Sequence, residues 1–257
     1  MSAPRRVRAS FRAGWHSFLR RRTAVFFTFF FPVIIVVIFG ALVRTEPTGG
    51  LFAEDPGYYV PGYLAVVVLF TPLSRVGSEV ARHREGNRFE KLATTPLSRG
   101  EWLLAQTLVN VVVIGLAGLL LLALVVALTS ADLRLGVGSV ALLVAYVVVG
   151  VALFCGVGAI LGSLTDSQDG VIAASNTIAL PLLFLSETFV PPEMLPEWFR
   201  PAMALSPLTY FSRGVRAATF DPVDAGAVAP AVSNLGITVA LAVVFLAVGA
   251  ATLPRTD

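Results

Sequence analysis

Charged side chains are scarce in this sequence. They make up 14% of its 257 residues, whereas soluble globular domains contain about 25%. Hydrophobic residues reach 56% and are gathered into runs of roughly 20 residues, the length of a helix that crosses about 30 Å of hydrocarbon. The composition therefore argues against an ordinary soluble domain and predicts an all-α integral membrane protein.

Lysine, cysteine and histidine are also rare. The single cysteine, Cys155, excludes a disulfide framework within the chain. His16 and His83 lie far apart in basic stretches, which argues against a histidine metal centre. The only lysine, Lys91, follows Glu90, so the phosphate-binding pattern Gly-x-x-x-x-Gly-Lys-Ser/Thr is missing. We therefore expect that the chain is not an enzyme, hydrolyses no ATP by that route and binds no metal or cofactor of its own.

The apolar runs predict six transmembrane helices. No acidic or basic residue lies near the centre of a predicted span, which disfavours both an ion-coupled carrier and an intramembrane protease. The spans lie at about 23–43, 58–74, 102–128, 137–164, 170–189 and 232–253, within one transmembrane domain over 23–253 that is followed by a tail at 254–257.

Two further segments indicate helices at the membrane surface. Residues 1–22 contain seven arginines and an apolar stripe of Val7, Phe11, Trp15 and Phe18, a pattern typical of an amphipathic helix whose aromatic face dips among headgroups. A frayed basic leader is the alternative. Between 190 and 230, prolines and several aromatic residues predict short helices at the outer interface before the last span. The prolines include Pro191, Pro192, Pro196, Pro201 and Pro207.

The distribution of basic residues predicts the orientation. If six spans begin from a cytoplasmic N-terminus, fourteen Arg and Lys residues lie on the cytoplasmic side and five lie outside. This asymmetry favours two cytoplasmic termini in a multi-pass protein of the cell membrane. The net charge of +3 comes from flanks of apolar segments, so the expected partner is the lipid bilayer and not nucleic acid.

Small and polar residues inside the spans predict helix contacts. Ala152 with Gly156, and Gly158 with Gly162, have the four-residue spacing that lets helix backbones approach closely. A polar cluster in the fifth span either bonds to other helices or faces a translocation path. It consists of Ser175, Asn176 and Thr177.

The main polar interruption, residues 75–101, predicts a short amphipathic helix. Phe89, Leu92 and Ala93 share one face of it, and the helix should end before Pro96. Ser98 and Glu101 then form a capping box for the third span. Such a helix between two spans can transmit force, whereas the alternative is a plain solvated loop.

The same segment resembles the cytoplasmic loop of ABC-2 type transporter permeases, the drug and antibiotic exporter kind. The resemblance rests on Arg84-Glu85-Gly86, on the stretch from Phe89 to Arg99, and on Phe189–Trp198 followed by Leu205–Tyr210 and Arg216. One position departs from the family pattern, because Asn87 and Arg88 stand where the family usually has Gly-Thr.

The resemblance implies a complex of two permease chains, a homodimer or a pair with a homologous chain, and two ABC-type ATPase subunits that bind ATP and Mg. It also implies export, and the apolar spans suit an amphipathic or lipid-like substrate. A non-transporting scaffold or sensor and an ion-coupled secondary carrier remain as alternatives. The implied coupling residues are Arg84, Glu85, Gly86, Phe89, Glu90, Leu92, Thr95, Pro96 and Leu97.

Overall fold

Helices form nearly all of the structure, a computed structural model that describes residues 2–38, 56–129, 131, 133, 135–189, 192, 195–220 and 228–254. No strand occurs among these residues. The helices are α1 Ala3–Arg20, α2 Arg22–Ile35, α3 Val60–Glu85, α4 Arg88–Ala93, α5 Arg99–Leu128, α6 Val137–Leu164, α7 Gln168–Phe184, α8 Arg200–Met203, α9 Pro207–Thr219 and α10 Val228–Thr252.

Four helical segments of the described chain are long and apolar enough to cross a membrane. They are Pro56–Glu85, Arg99–Leu128, Val137–Leu164 and Ala229–Thr252. The pair α1 and α2, bent by 82°, adds a fifth if it counts as one span. The prediction of an all-helical membrane protein is thus confirmed, with four or five candidate spans where the sequence predicted six.

Two helix ends differ from the predicted span boundaries. Helix α3 continues past residue 74 to Glu85, because its polar stretch still buries Val76 and Val80 on one side. Helix α7 ends at Phe184, not at 189. The following turn buries Ser186, whose hydroxyl donates to the Leu183 carbonyl at 2.7 Å. Residues 39–43 of the first predicted span and 255–257 of the tail lie outside the described residues.

The aromatic stripe of α1 packs on protein. Phe18 is buried, and Phe11 and Trp15 pack against the same apolar core. Helix α1 packs against α5. A Cβ added to Gly14 of α1 would lie 3.2 Å from the Val109 side chain of α5. Phe18 is therefore covered by the helix bundle, whereas Phe11 and Trp15 are half-buried. The position of α1 at the membrane surface stays a prediction.

Short helices do precede the last long helix, as α8 and α9. Helix α9 packs against α3, α6 and α10. Its Phe211 ring meets the Tyr146 ring edge-on with centroids 5.9 Å apart, and the Tyr146 hydroxyl donates to the Ala231 carbonyl at 2.5 Å. Helix α9 is therefore largely buried, and its position at an outer membrane interface stays a prediction.

The long helices alternate in direction. The C-terminal ends of α3 and α6 meet where Arg84 donates to the Thr165 carbonyl at 2.9 Å. The start of α5 meets the end of α10, because Arg99 donates to the Ala251 carbonyl at 3.2 Å. We call this end of the bundle, with α4 and the starts of α5 and α7, the basic end.

Candidate functional site

The segment from Arg84 to Leu97 forms a helix–turn–helix at the basic end. Helix α3 ends at Glu85, and Asn87 adopts the left-handed conformation with φ 49° and ψ 35°. This is the single positive φ of a non-glycine residue in the described chain, and it is a conformation that asparagine and glycine tolerate best. The turn aims α4 back across the end of α3.

Three aromatic rings hold α4 in place. Phe89 of α4 is buried and lies 5.4 Å from the His83 ring of α3 and 5.5 Å from the Trp102 ring of α5, measured between ring centroids. His83 and Trp102 are 5.2 Å apart. Such tilted and edge-on pairs add stability beyond the burial of their area. Phe89 thus ties the short helix to two long ones.

The turn after α4 is fixed by local hydrogen bonds. The Thr95 hydroxyl donates to the Leu92 carbonyl at 2.7 Å and accepts from the Leu97 backbone amide at 3.4 Å. The Ser98 side chain accepts from the Glu101 backbone amide, while the Glu101 carboxylate accepts from the Ser98 amide at 2.9 Å. The predicted capping box and the predicted short helix are both confirmed.

Arg84 and Glu85 connect the same segment to α6 and α7. The Arg84 guanidinium donates to the Ser163 carbonyl at 3.1 Å and to the Thr165 carbonyl at 2.9 Å. The Glu85 carboxylate accepts from the Gln168 backbone amide and from its side-chain amide, each at 3.3 Å. A displacement of this segment would therefore act on α3, α5, α6 and α7 together.

Helix α1 joins the site through one ion pair. Arg6 donates two hydrogen bonds to the Glu101 carboxylate, at 3.0 Å and 2.5 Å. Two-point pairing of this kind fixes orientation as well as distance. Glu101 therefore serves both as a cap of α5 and as the attachment point of α1.

Two grooves flank α4. One, of about 510 Å³, lies between α1, α3 and the turn at 95–97. The other, of about 280 Å³, is bounded by Phe89, Leu92, Ala93 and Trp102 and extends to Pro254. Of the predicted coupling residues, Phe89 is buried, Leu92 and Leu97 are half-buried, and Glu90, Thr95 and Pro96 are exposed.

Comparison with known proteins identifies the family. Residues 5–220 match the ABC-2 type transporter family. The chain belongs to this family. It is thus a multi-pass membrane protein of a transporter family whose members are transmembrane subunits and not themselves catalytic.

One curated relative of this ABC-2 chain is the daunorubicin resistance ABC transporter permease protein DrrB1 of Streptomyces coeruleorubidus. The two sequences are 25% identical over 191 residues, which cover 72% of this chain and 66% of the relative. The chain thus spans slightly less than two thirds of that protein's length.

The small residues of α6 lie where other helices cross it. An added Cβ on Gly156 would lie 2.5 Å from the backbone of Phe245 in α10, and one on Gly158 would lie 2.5 Å from the Leu73 carbonyl oxygen in α3. Gly162 faces the Gly77 backbone, and Ala152 is half-buried against the core. Close contacts between these helix backbones require glycine at the crossings.

The polar cluster of α7 is divided between faces of the helix. Ser175 is buried, and its hydroxyl has no hydrogen-bond partner among the described residues. Asn176 and Thr177 are exposed, and the Thr177 hydroxyl donates to the Ala173 carbonyl at 2.9 Å. Adjacent helical positions point in different directions, so the three residues do not form one surface.

A charged cluster that the sequence did not reveal lies at the opposite end of this ABC-2 bundle. The Glu187 carboxylate is buried in the turn after α7 and accepts two hydrogen bonds from Arg213 of α9, which raise the pKa of Arg213. The Arg216 guanidinium lies 3.8 Å from the centre of the Tyr58 ring and donates to the Glu187 carbonyl at 2.8 Å. The partners are more than 25 positions apart, so no local pattern could have indicated them.

No cluster of three or more potential metal ligands occurs among the described residues.

Proposed function

We propose that this chain is the permease subunit of an ABC transporter, which exports an amphipathic or lipid-like substrate and is driven by a separate ATPase subunit. Family membership implies an ABC ATPase as partner. The observation that carries the proposal is the position of the segment Arg84–Leu97. It has exposed residues on its outer side, and on its inner side it contacts α3, α5, α6 and α7 through hydrogen bonds and ring packing. The partner would bind ATP and Mg, because this chain has no phosphate-binding loop.

The geometry supports a mechanical role for α4. An ATPase that presses on Glu90, Thr95 and Pro96 would load the Phe89 ring against α3 and α5. Arg84 and Glu85 would carry the same displacement to α6 and α7. Because packed interfaces shift between discrete arrangements and do not deform continuously, a small push can change the state of the whole bundle.

Six spans with both termini in the cytoplasm of a cell-membrane protein are part of the proposal. Helix α7 has 17 residues, or roughly 26 Å at 1.5 Å per residue, and the turn that follows would complete the crossing. Two such chains, identical or homologous, would enclose the path. Ser175, Asn176 and Thr177 remain candidates for contact with substrate in that assembly.

The substrate class rests on two observations. The helix surfaces rich in valine, leucine and alanine suit an amphipathic cargo, and the relative named above is a daunorubicin resistance permease. Identity of 25% does not carry that drug over to this chain.

Co-purification with the ATPase tests the proposal. The complex should hydrolyse ATP and respond to substrate, whereas the chain alone should not. Glu90→Gln should lower substrate-stimulated hydrolysis and transport while the chain still inserts. The matched control is Glu197→Gln, an exposed carboxylate distant in sequence from α4. Flux that follows a proton gradient and ignores ATP would instead indicate a carrier, and no flux with the ATPase present would indicate a scaffold.

A further inference from the structure

A polar pocket lies where α1 turns into α2. It is lined by one face of α3, by the end of α1 and by α5, and its volume is about 70 Å³. One water needs roughly 10–15 Å³ of such space, so the pocket has room for a group of several atoms but not for a whole drug or lipid. The lining includes Phe18, Arg21, Arg75, Glu79 and Asn110.

Positive charge exceeds negative charge around this pocket. Arg75, Glu79 and Arg82 stand at i, i+4 and i+7 on α3 and therefore share one face. The Glu79 carboxylate forms ion pairs with Arg82 and, at 3.6 Å, with Arg21. Among the residues that line the pocket, Glu79 is the single acidic one and faces two arginines, Arg21 and Arg75, while it is also paired with Arg82 from outside the lining.

Arg75 has an unused donor in the pocket. Its guanidinium carbon lies 4.4 Å from the centre of the Phe18 ring, so the aromatic ring covers one face of the cation. Its Nη1 is buried and has no hydrogen-bond partner among the described residues. A buried charged donor without an acceptor is unfavourable, and an oxyanion would provide one.

The exposed residues of α1 and α2 indicate how deep the pocket would lie in a membrane. Helix α1 exposes arginines, whereas α2, after the 82° bend, exposes Phe26, Phe27 and Phe30. A basic helix followed by a perpendicular apolar one is the geometry of a surface helix that turns into the bilayer. The pocket lies at that junction, where headgroups would lie if α1 rests on the membrane surface, and the Arg21 side chain, 43% exposed, opens the pocket to the outside.

We propose that this pocket binds the phosphate of an anionic phospholipid, whose acyl chains would follow the exposed aromatic face of α2. The planar guanidinium groups of Arg21 and Arg75 suit two-point bonding to phosphate oxygens. The bound lipid would fix the angle between α1 and the bundle. The proposal concerns the chain alone and does not depend on an ATPase partner or on transport.

Native mass spectrometry and thermal unfolding of the purified full chain test the site. Micelles containing phosphatidylglycerol should give retained lipid adducts and a higher Tm than micelles containing phosphatidylcholine. One arginine near a membrane surface contributes roughly a fivefold change in lipid affinity, so Arg21→Gln should weaken phosphatidylglycerol binding by about that factor. Arg75→Gln should abolish the preference for phosphatidylglycerol over phosphatidylcholine. Arg75→Lys should restore this preference in part, because lysine returns the positive charge but not the planar guanidinium group.

Arg22→Gln is the matched control, since it removes an exposed neighbouring charge that does not line the pocket. Equal losses in Arg21→Gln and Arg22→Gln would show general surface attraction and overturn the proposal. An equal Tm rise with inorganic phosphate alone would assign the pocket to a free anion and reject the lipid. If Arg75→Gln does not fold, the comparison of Arg21→Gln with Arg22→Gln still decides.

Discussion

Asn87 has a backbone conformation that few residue types other than glycine and asparagine adopt. Its left-handed φ of 49° falls at the position where the resemblance to ABC-2 permeases leads one to expect glycine. Asparagine is one of few other residues that enter this conformation routinely. The departure from the family pattern therefore preserves the shape of the turn between α3 and α4.

Substitutions at Asn87 should distinguish the effect of the turn's backbone shape from the effect of the asparagine side chain. Asn87→Gly should leave coupling intact, because glycine adopts positive φ without strain. Asn87→Val should strain the turn by about 1–2 kcal/mol and lower substrate-stimulated ATP hydrolysis in the complex with the ATPase. The amount of folded chain in the membrane should be unchanged, since the residue is exposed. Equal activity of the two variants would contradict the assignment of a coupling role to the turn.

Gly158 offers a test of helix packing. A Cβ at Gly158 would lie 2.5 Å from the Leu73 carbonyl oxygen, whereas one at Gly138 on the same helix meets nothing within 4 Å. Gly158→Ala should therefore lower the free energy of unfolding by about 1–3 kcal/mol through overpacking. Gly138→Ala, the control, should be neutral. Thermal unfolding in detergent measures both, and equal midpoints would show that α3 and α6 do not cross this closely.

Local pattern was sufficient for some site residues and insufficient for others. The capping box of Ser98 and Glu101 follows from three-residue spacing, and the inward face of Phe89 follows from helical periodicity. Arg84 was placed in the segment by resemblance, but its acceptors are backbone carbonyls at the end of α6. Such carbonyls carry no signal in the sequence, so the contacts of Arg84 required the fold.

At the scale of elements, α1 is attached to the bundle by both an apolar and a charged contact. Its aromatic stripe packs on α5, and Arg6 pairs with Glu101. Sequence periodicity predicted the stripe but not its partner, because an amphipathic face fits a membrane surface and a helix bundle equally well. Whether the stripe packs on the membrane or on the bundle depends on whether α5 has an exposed apolar surface that the stripe can cover.

Loss of the Arg6–Glu101 pair should loosen α1. Arg6→Gln and Glu101→Gln should each speed tryptic cleavage after Arg8 and Arg12 by about two- to fivefold, since glutamine at 101 can still serve the capping box. The double variant should be no faster than either single one, because the pair acts as a unit. Arg5→Gln removes a neighbouring exposed arginine and is the control. Additive effects of the two substitutions would argue against a direct interaction.

Helix α3 shows why element boundaries are harder to predict than element types. Charge begins at Arg75 and suggests the end of a membrane span, but a helix does not have to end where the membrane ends. Val76, Val80 and Ala81 continue the buried face while charged residues occupy the other side. The same extension carries Arg84 to α6 and joins the proposed coupling segment directly to the end of α3.

At the scale of the whole molecule, the apolar composition predicts a membrane protein, and the alternating directions of the long helices describe its topology. The ends of α3, α6 and α10 meet the starts of α5 and α7 at one end. If the alternating helices from α3 to α10 are membrane crossings, α7 has to cross as well, although its 17 residues fall short of the roughly 20 of a usual span. The count of six therefore depends on two elements, the bent pair of α1 and α2 and the helix α7.

Cysteine labelling tests whether α7 crosses. In a chain carrying Cys155→Ser, an impermeant maleimide added outside intact cells should label Gly136→Cys and Trp198→Cys, while Asp166→Cys and Glu90→Cys should react only after permeabilisation. All four positions are exposed, so a lack of reaction reflects sidedness and not burial. If α7 does not cross, Trp198→Cys reacts on the same side as Asp166→Cys. The pair α8 and α9 would then lie at the basic end, which is inconsistent with the contact between Arg216 and Tyr58 at the start of α3.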